Sequence, residues 1–348
     1  MTERIAIFRA LQLGDMLCAV PALRALRQAK PGAHIALIGL PWAQSFVTRY
    51  AHLLDELIVF PGAIGFPEQV ETNEHLEGFW QDMRARRFDL AIQMHGSGGI
   101  ANDIVGRMGA SSNAGFVQPG ELGRDGAFVE WPETLNEILR YTTLMQALGC
   151  NSEDTSLEIP LDDEDLAEYA RVARVFGLRP DRLVLIHPGA QLPSRRWPVE
   201  RFAQVASTLA GEGWQIAITG AAGEHVLTTG VASAMKGRAI NLAGKTSLGG
   251  LAALVSNARL VICNDTGLSH VAAAMKTRSV VVASGSDTRR WEPLDRDRHR
   301  VLADYPSCRP CAFRECPYGH PCALNVHAEH VVDAALNQLS HYATTHAE

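Results

Sequence analysis

The run Val261-Ile262-Cys263-Asn264-Asp265-Thr266-Gly267-Leu268-Ser269-His270 passes from an apolar strand straight into small and polar residues that open a helix. Such a junction gathers backbone N–H groups, a hydroxyl and an imidazole at a helix N-terminus. The dipole there favours an anion, so the chemistry on offer is diphosphate binding. The competing role is plain helix capping by Asp265 or Thr266. Two further strand–loop–helix units argue for the first reading. Ile5-Ala6-Ile7-Phe8 leads through Arg9-Ala10-Leu11-Gln12-Leu13 to Gly14-Asp15 and an apolar helix. Leu183-Val184-Leu185-Ile186 leads to His187-Pro188-Gly189-Ala190, then Ser194-Arg195-Arg196-Trp197-Pro198 and another helix.

Together these motifs resemble the heptosyltransferase family, the bacterial glycosyltransferases (family nine) that move a sugar from a nucleotide diphosphate onto lipopolysaccharide core or related acceptors. The likeness runs from the Gly14-Asp15 loop to the cysteine-rich tail. It implies a GT-B fold, two Rossmann-like domains with parallel sheets facing across a cleft. It also implies an ADP-heptose donor and a glycan or lipid-linked glycan acceptor. The resemblance gives Gly14-Asp15 the catalytic base and Thr266, Gly267 and His270 the diphosphate. Glu224, which follows Gly220-Ala221-Ala222-Gly223, matches the family acid that binds ribose hydroxyls; by position alone it is equally a first-turn helix glutamate. Arg195 stands where the family commonly has Lys, a bidentate fork in place of a point charge.

Inverting transfer needs a base for the acceptor hydroxyl while the nucleotide diphosphate leaves from the opposite face, and a carboxylate at a cleft edge suits that role. Asp15 is the candidate, with helix capping as its alternative. A helix N-terminus lowers a carboxylate pKa whereas a base works best with a raised one, so the two demands on Asp15 oppose each other. The leaving diphosphate needs positive charge or aligned donors. No D-x-D motif sits in a setting that suggests a metal-bound diphosphate, which leaves a metal-free route through Arg195 and the Asp265-Thr266-Gly267 turn. The alternative for Arg195 and Arg196 is a pair of surface charges beside a packed Trp197. Gln93-Met94-His95-Gly96, at the end of another strand, could line the acceptor side.

Cys308, Cys311, Cys316 and Cys322 form C-x2-C-x4-C-x5-C in a loop with Pro310, Pro317, Gly319 and Pro321. In a cytosolic chain clustered thiols favour metal over disulfide, and four soft ligands suit a structural zinc or iron. Redox chemistry or packing is the other use of such thiols.

The elements that must position these residues follow from length and pattern. A chain of 348 residues exceeds what one core usually organises, so two domains are expected, 1–160 on the acceptor side and 161–348 for the nucleotide sugar. The last helix, near His330 to Leu339, is expected to pack back on the first domain. With 47% hydrophobic and 20% charged residues the chain can bury sizeable cores, and a net charge of −6 argues against nucleic acid as a partner. Short runs rich in Val, Ile and Leu alternate with helical patterns, as in parallel sheets built from strand–helix–strand units. Strands are predicted at Ile5–Phe8, His34–Ile38, Glu56–Val59 and Leu90–Gln93, then at Leu183–Ile186, Gln215–Thr219, Leu260–Cys263 and Ser279–Val282. Leu17, Val20, Leu23 and Leu26 mark one face of a first helix from about Asp15 to Ala29. The acidic run Leu161-Asp162-Asp163-Glu164-Asp165 reads as a linker or helix start. No run approaches a transmembrane span and the first residues carry no secretory pattern, so the chain is expected in the cytoplasm, with a lipid-linked acceptor drawing it to the inner membrane. Two other functions fit the same motifs: a sugar-nucleotide-binding protein without turnover, and a sugar-nucleotide epimerase that needs no acceptor.

Overall fold

The computed structural model describes residues 2–69, 72–121 and 125–345. The chain divides into two units, Met1–Ser156 and Leu157–Glu348, four residues ahead of the expected boundary.

In the first unit the order is β1 (Arg4–Phe8), α1 (Leu13–Ala29), β2 (His34–Gly39), α2 (Ala43–Arg49), β3 (Glu56–Val59), α3 (Leu76–Arg86), β4 (Leu90–Gln93), α4 (Ile100–Gly106), β5 (Ser112–Val117), β6 (Ala127–Glu130) and α5 (Glu137–Ala147). The second unit continues with α6 (Asp163–Phe176), β7 (Leu183–His187), α7 (Val199–Gly211), β8 (Gln215–Ile218), α8 (His225–Ala234), β9 (Ala239–Asn241), α9 (Leu248–Ser256), β10 (Leu260–Asn264), α10 (Gly267–Ala274), β11 (Ser279–Val282), α11 (Thr288–Trp291), β12 (His299–Leu302), α12 (Pro321–Leu324) and α13 (Ala328–Thr345).

Both sheets are parallel and six-stranded, ordered β3-β2-β1-β4-β5-β6 and β12-β11-β10-β7-β8-β9. Numbered within its own unit, each has the Rossmann order 3-2-1-4-5-6, which reverses direction between its first and fourth strands. Ligands bind beyond the carboxyl ends of the strands at that switch point, because the loops there diverge to opposite faces and leave a crevice. In the first unit the switch lies between β1 and β4, which pair with Phe8 opposite Gln93. In the second it lies between β7 and β10, with His187 opposite Cys263. The topology therefore brings the loop carrying Arg195 beside the Asp265-Thr266-Gly267 turn, although about seventy residues separate them in sequence.

The central strands are buried on both faces, as fits their unbroken Val, Ile and Leu content. Leu17, Val20, Leu23 and Leu26 of α1 are buried as their spacing predicts, and Pro21 lies inside the helix. The acidic run at 161–165 is a helix start: Asp162 accepts from the Asp165 N–H while the Asp165 carboxylate accepts from the Asp162 N–H, a reciprocal capping box. Four strands escaped the sequence pattern. β5 begins with Ser112-Asn113, β9 has three residues, and β6 and β12 are edge strands with exposed positions, so none presents the apolar run that marked the others. The helix expected to return to the first domain is, through Val331, Ala335 and Leu339, part of the second unit's own core. Among the described residues no helix is long and apolar enough to cross a membrane.

Candidate active site

In the first unit, Gly14 and Asp15 lie in the first turn of α1, just beyond β1. Capping does not account for Asp15, because the N-cap position belongs to Gln12, whose side chain makes no cap bond. The Asp15 carbonyl accepts from Nη2 of Arg9 at 2.6 Å, and Nη1 of the same guanidinium donates to the Met94 carbonyl at 2.5 Å. His95 follows β4. Its Nδ1 accepts the Ala10 N–H at 3.2 Å, and its ring stacks on Phe8 and meets the edge of Phe66. Burial, with the charge of Arg9, pushes the His95 pKa down to about 3, so the ring is neutral and carries its proton on Nε2.

In the second unit one buried side chain, which the sequence reading passed over, organises the switch point. Asn264, the last residue of β10, is fully buried. Its Oδ1 accepts the Trp197 N–H at 2.8 Å, and its Nδ2 donates to the carbonyls of Pro188 and Gly189 at 2.8 and 3.3 Å. One amide thus locks both ends of the 188–197 loop, which carries Arg195, to the strand that leads into Asp265-Thr266-Gly267. A buried Asn following an apolar strand was the available signal, since such an amide must find partners.

Beyond that frame, Thr266 is the N-cap of α10 and its side chain accepts from the Leu268 N–H. The capping alternative is therefore realised for Thr266, and the N-terminus it caps remains an electropositive end. His270 lies one turn further on and is buried, edge-on to Trp291. Arg195 and Arg196 separate in role. Arg196 turns back to the Ala190 carbonyl at 2.9 Å, whereas Nη2 of Arg195 donates to the Cys311 carbonyl at 2.7 Å.

The Glu224 carboxylate lies against two glycines. A Cβ on Gly189 would meet its Oε1 at 2.0 Å, and one on Gly220 would meet its Oε2 at 3.4 Å. Its Oε2 accepts the Ala221 N–H at 2.8 Å and lies 4.0 Å from Nε2 of His187. His187, also unselected from sequence, is bonded through Nδ1 to the Thr219 hydroxyl at 3.1 Å. Burial pushes its pKa down against the pull of Glu224. Glu224 thus stands at the carboxyl ends of β7 and β8.

Cys308, Cys311, Cys316 and Cys322 line one pocket together with His320. Among the described residues no three His, Cys, Asp or Glu side chains stand close enough to form a ready-made metal cage. The loop is pinned to the Arg195 segment: the Ser194 N–H donates to the Arg314 carbonyl, its hydroxyl to the Phe313 carbonyl, and His320 bonds the Ser194 carbonyl.

Two parallel six-stranded sheets, each in Rossmann order, make an α/β fold of the GT-B class. The sequence profile of Glycosyltransferase family 9 (heptosyltransferase) matches residues 77–321. The chain belongs to that family and is a glycosyltransferase. It is 26% identical over 314 residues to lipopolysaccharide heptosyltransferase 2 of Escherichia coli strain K12, covering 86% of this chain and 87% of that one. Among solved structures, the glycosyl transferase family 9 protein from Veillonella parvula DSM 2008 superposes with a TM-score of 0.79 at 23% identity, covering 97% of this chain and 98% of that one. The E. coli ADP-heptose heptosyltransferase II superposes at 0.73 and 21%, covering 98% and 99%.

Proposed function

We propose that this glycosyltransferase moves heptose from ADP-heptose onto a lipopolysaccharide-core or related glycan acceptor, with inversion at the anomeric carbon. Asp15 takes the proton of the acceptor hydroxyl as its oxygen bonds to the anomeric carbon. The bond from that carbon to the diphosphate oxygen breaks, and ADP leaves with the electron pair. Arg195 and the N–H groups of the Asp265-Thr266-Gly267 turn receive the diphosphate, with Gly267 allowing close approach and His270 behind it. These groups supply the positive field the leaving group needs, so the transfer itself calls for no metal. Glu224 binds the ribose hydroxyls, and Gly14 meets the nucleotide sugar beside Asp15.

The observation that carries the reading is the Asn264 bridge, which ties the Arg195 loop to the diphosphate turn at the switch point of the second sheet. The test is nucleotide release from ADP-heptose with a truncated core acceptor. Release that depends on acceptor supports transfer. Binding without release would point to a protein without turnover, and conversion of the sugar nucleotide without acceptor to an epimerase. A lipid-linked acceptor would bring the enzyme to the inner membrane face as a peripheral protein.

The four thiols of Cys308, Cys311, Cys316 and Cys322 are, in this reading, the ligands of a structural zinc or iron. Four soft thiolate donors around one pocket are the set that suits such a metal.

A further inference from the structure

Three buried polar atoms just beyond β11 lack a hydrogen-bonding partner: the hydroxyls of Ser284 and Ser286, and Nη2 of Arg309. The two serines are 1% and 4% exposed. Buried donors left unpaired cost free energy and are rare enough that each needs a reason. Three at one strand end point to a ligand.

The rest of Arg309 is tightly engaged. Its Nε donates to the Ser286 carbonyl at 2.7 Å, its Nη1 to the Asp304 carbonyl at 2.5 Å, and its guanidinium lies over the Tyr305 ring at 4.7 Å. A side chain fixed through two nitrogens and a ring face holds its third nitrogen in one direction. Asp265 and Arg195 are both near enough to act on its charge. Gly285, between the two serines, has φ +71, and a Cβ there would lie 2.9 Å from Cys311 Sγ and 3.9 Å from Cδ of Arg195. This glycine thus stands beside the stem of Arg195, and Arg309 lies within the field of Asp265.

We propose that Ser284, Ser286 and Arg309 form a phosphate subsite that holds the donor diphosphate together with Arg195. A diphosphate presents more oxygen acceptors than one guanidinium and one helix N-terminus can serve, and two hydroxyls and a fixed guanidinium nitrogen are donors of the kind it takes. An anion between Arg195 and Arg309 also relieves the repulsion of two half-buried cations. The inference rests on the reading of Arg195 and Asp265–Gly267 as the diphosphate site.

The experiment is calorimetric titration of the full chain with ADP and with adenosine. The proteins are the parent, Arg309→Ala, the double variant Ser284→Ala/Ser286→Ala, and Arg195→Ala as reference. Arg309→Ala is expected to weaken ADP at least tenfold with adenosine within twofold. The serine double variant is expected to weaken ADP threefold or more while its thermal midpoint holds or rises, because it removes hydroxyls that the protein alone leaves unpaired. ADP affinity unchanged in both variants, or equal losses for ADP and adenosine, overturns the subsite. If Arg195→Ala alone leaves ADP untouched, the assignment of Arg195 fails, while the Arg309 and serine results still decide the subsite.

Discussion

Arg9 and Asp15 are joined through the main chain: the Arg9 guanidinium donates to the Asp15 carbonyl at 2.6 Å. Arg9 is 1% exposed, lies over the Tyr141 ring at 4.2 Å, and has the Glu137 carboxylate 4.0 Å away. Glu137 is itself held by Arg140 at 2.9 Å and by the Tyr141 hydroxyl at 3.2 Å. Burial alone would pull the Arg9 pKa down; Tyr141, Glu137 and Asp15 more than offset it and leave it raised. One buried cation therefore ties the first turn of α1 to the end of β4 and to α5, and fixes the backbone that carries the proposed base.

Asp15→Asn keeps that backbone contact and removes only the carboxylate. Turnover should fall by about a hundredfold or more, the scale of a lost general base, with ADP affinity within about threefold of the parent. Steady-state kinetics and calorimetry on the same preparation check both halves. A folded variant with near-normal turnover would remove Asp15 from the chemistry.

Arg9→Met strips the cation and leaves Glu137 with Arg140. Losing one member of a buried charged network costs about 3 to 5 kcal/mol, which chemical denaturation will read directly. Turnover should drop while ADP affinity, a property of the second unit, holds. Unchanged stability would show that Arg9 is dispensable to the loop.

Glu224 is proposed to bind the ribose hydroxyls, so the parent should prefer ADP over 2′-deoxy-ADP and Glu224→Gln should lose most of that preference. A hydrogen bond to a carboxylate contributes about 1.5 to 3 kcal/mol, or roughly tenfold or more in affinity. Gly189→Ala should reproduce the effect, since its Cβ would fall 2.0 Å from Oε1 and drive the carboxylate away. Equal discrimination in all three proteins would free Glu224 from that role.

The sequence made the repeated strand–loop–helix logic legible because β7, β8, β10 and β11 are apolar runs that lead into glycine or small polar residues within a few positions. It did not reveal Asn264 or His187. Their importance comes from strand order, which sets β10 beside β7, and strand order is not a local property of either segment. Arg195 and Arg196 are adjacent cations that only the family resemblance tells apart in sequence; in the structure their hydrogen bonds run in opposite directions, Arg195 to Cys311 and Arg196 to Ala190. Capping is an alternative for both Asp15 and Thr266; Thr266 is an N-cap, whereas Asp15 sits inside the first turn of a helix that begins at Leu13, earlier than its apolar pattern suggests.

Acid should destabilise the fold in a window set by histidines. His95, with a pKa near 3 in the fold and 6.5 as its ordinary value, and His299, near 4 through burial, stay neutral when folded but take up protons when unfolded. The unfolded state then binds more protons, so stability is complete above pH 6.5 and declines as pH falls toward 4. One such histidine accounts for about 2 kcal/mol between pH 6.5 and 5. Asp55, Glu56 and Asp154, whose pKa values are lowered from 3.8, 4.5 and 3.8, act below that window. Urea unfolding at pH 7 and pH 5 should show the decline, and His95→Asn, which keeps an acceptor for the Ala10 N–H, should reduce it. An identical pH slope in the variant would remove His95 as a source.

Residues 306–320 contain no helix or strand, and Phe313 and Tyr318 are 46% and 60% exposed, so apolar burial contributes little to holding the loop. Four thiols lining one pocket would supply a cross-link if a metal draws them together. Protein purified without an affinity metal column should carry about one zinc or iron per chain. Cys308→Ser/Cys311→Ser should abolish that content and lower the thermal midpoint. Because Arg195 donates to the Cys311 carbonyl, ADP affinity should weaken with it, while adenosine affinity holds. A parent free of stoichiometric zinc and iron would reject the metal, and loss of metal with no change in thermal midpoint would reject its structural role.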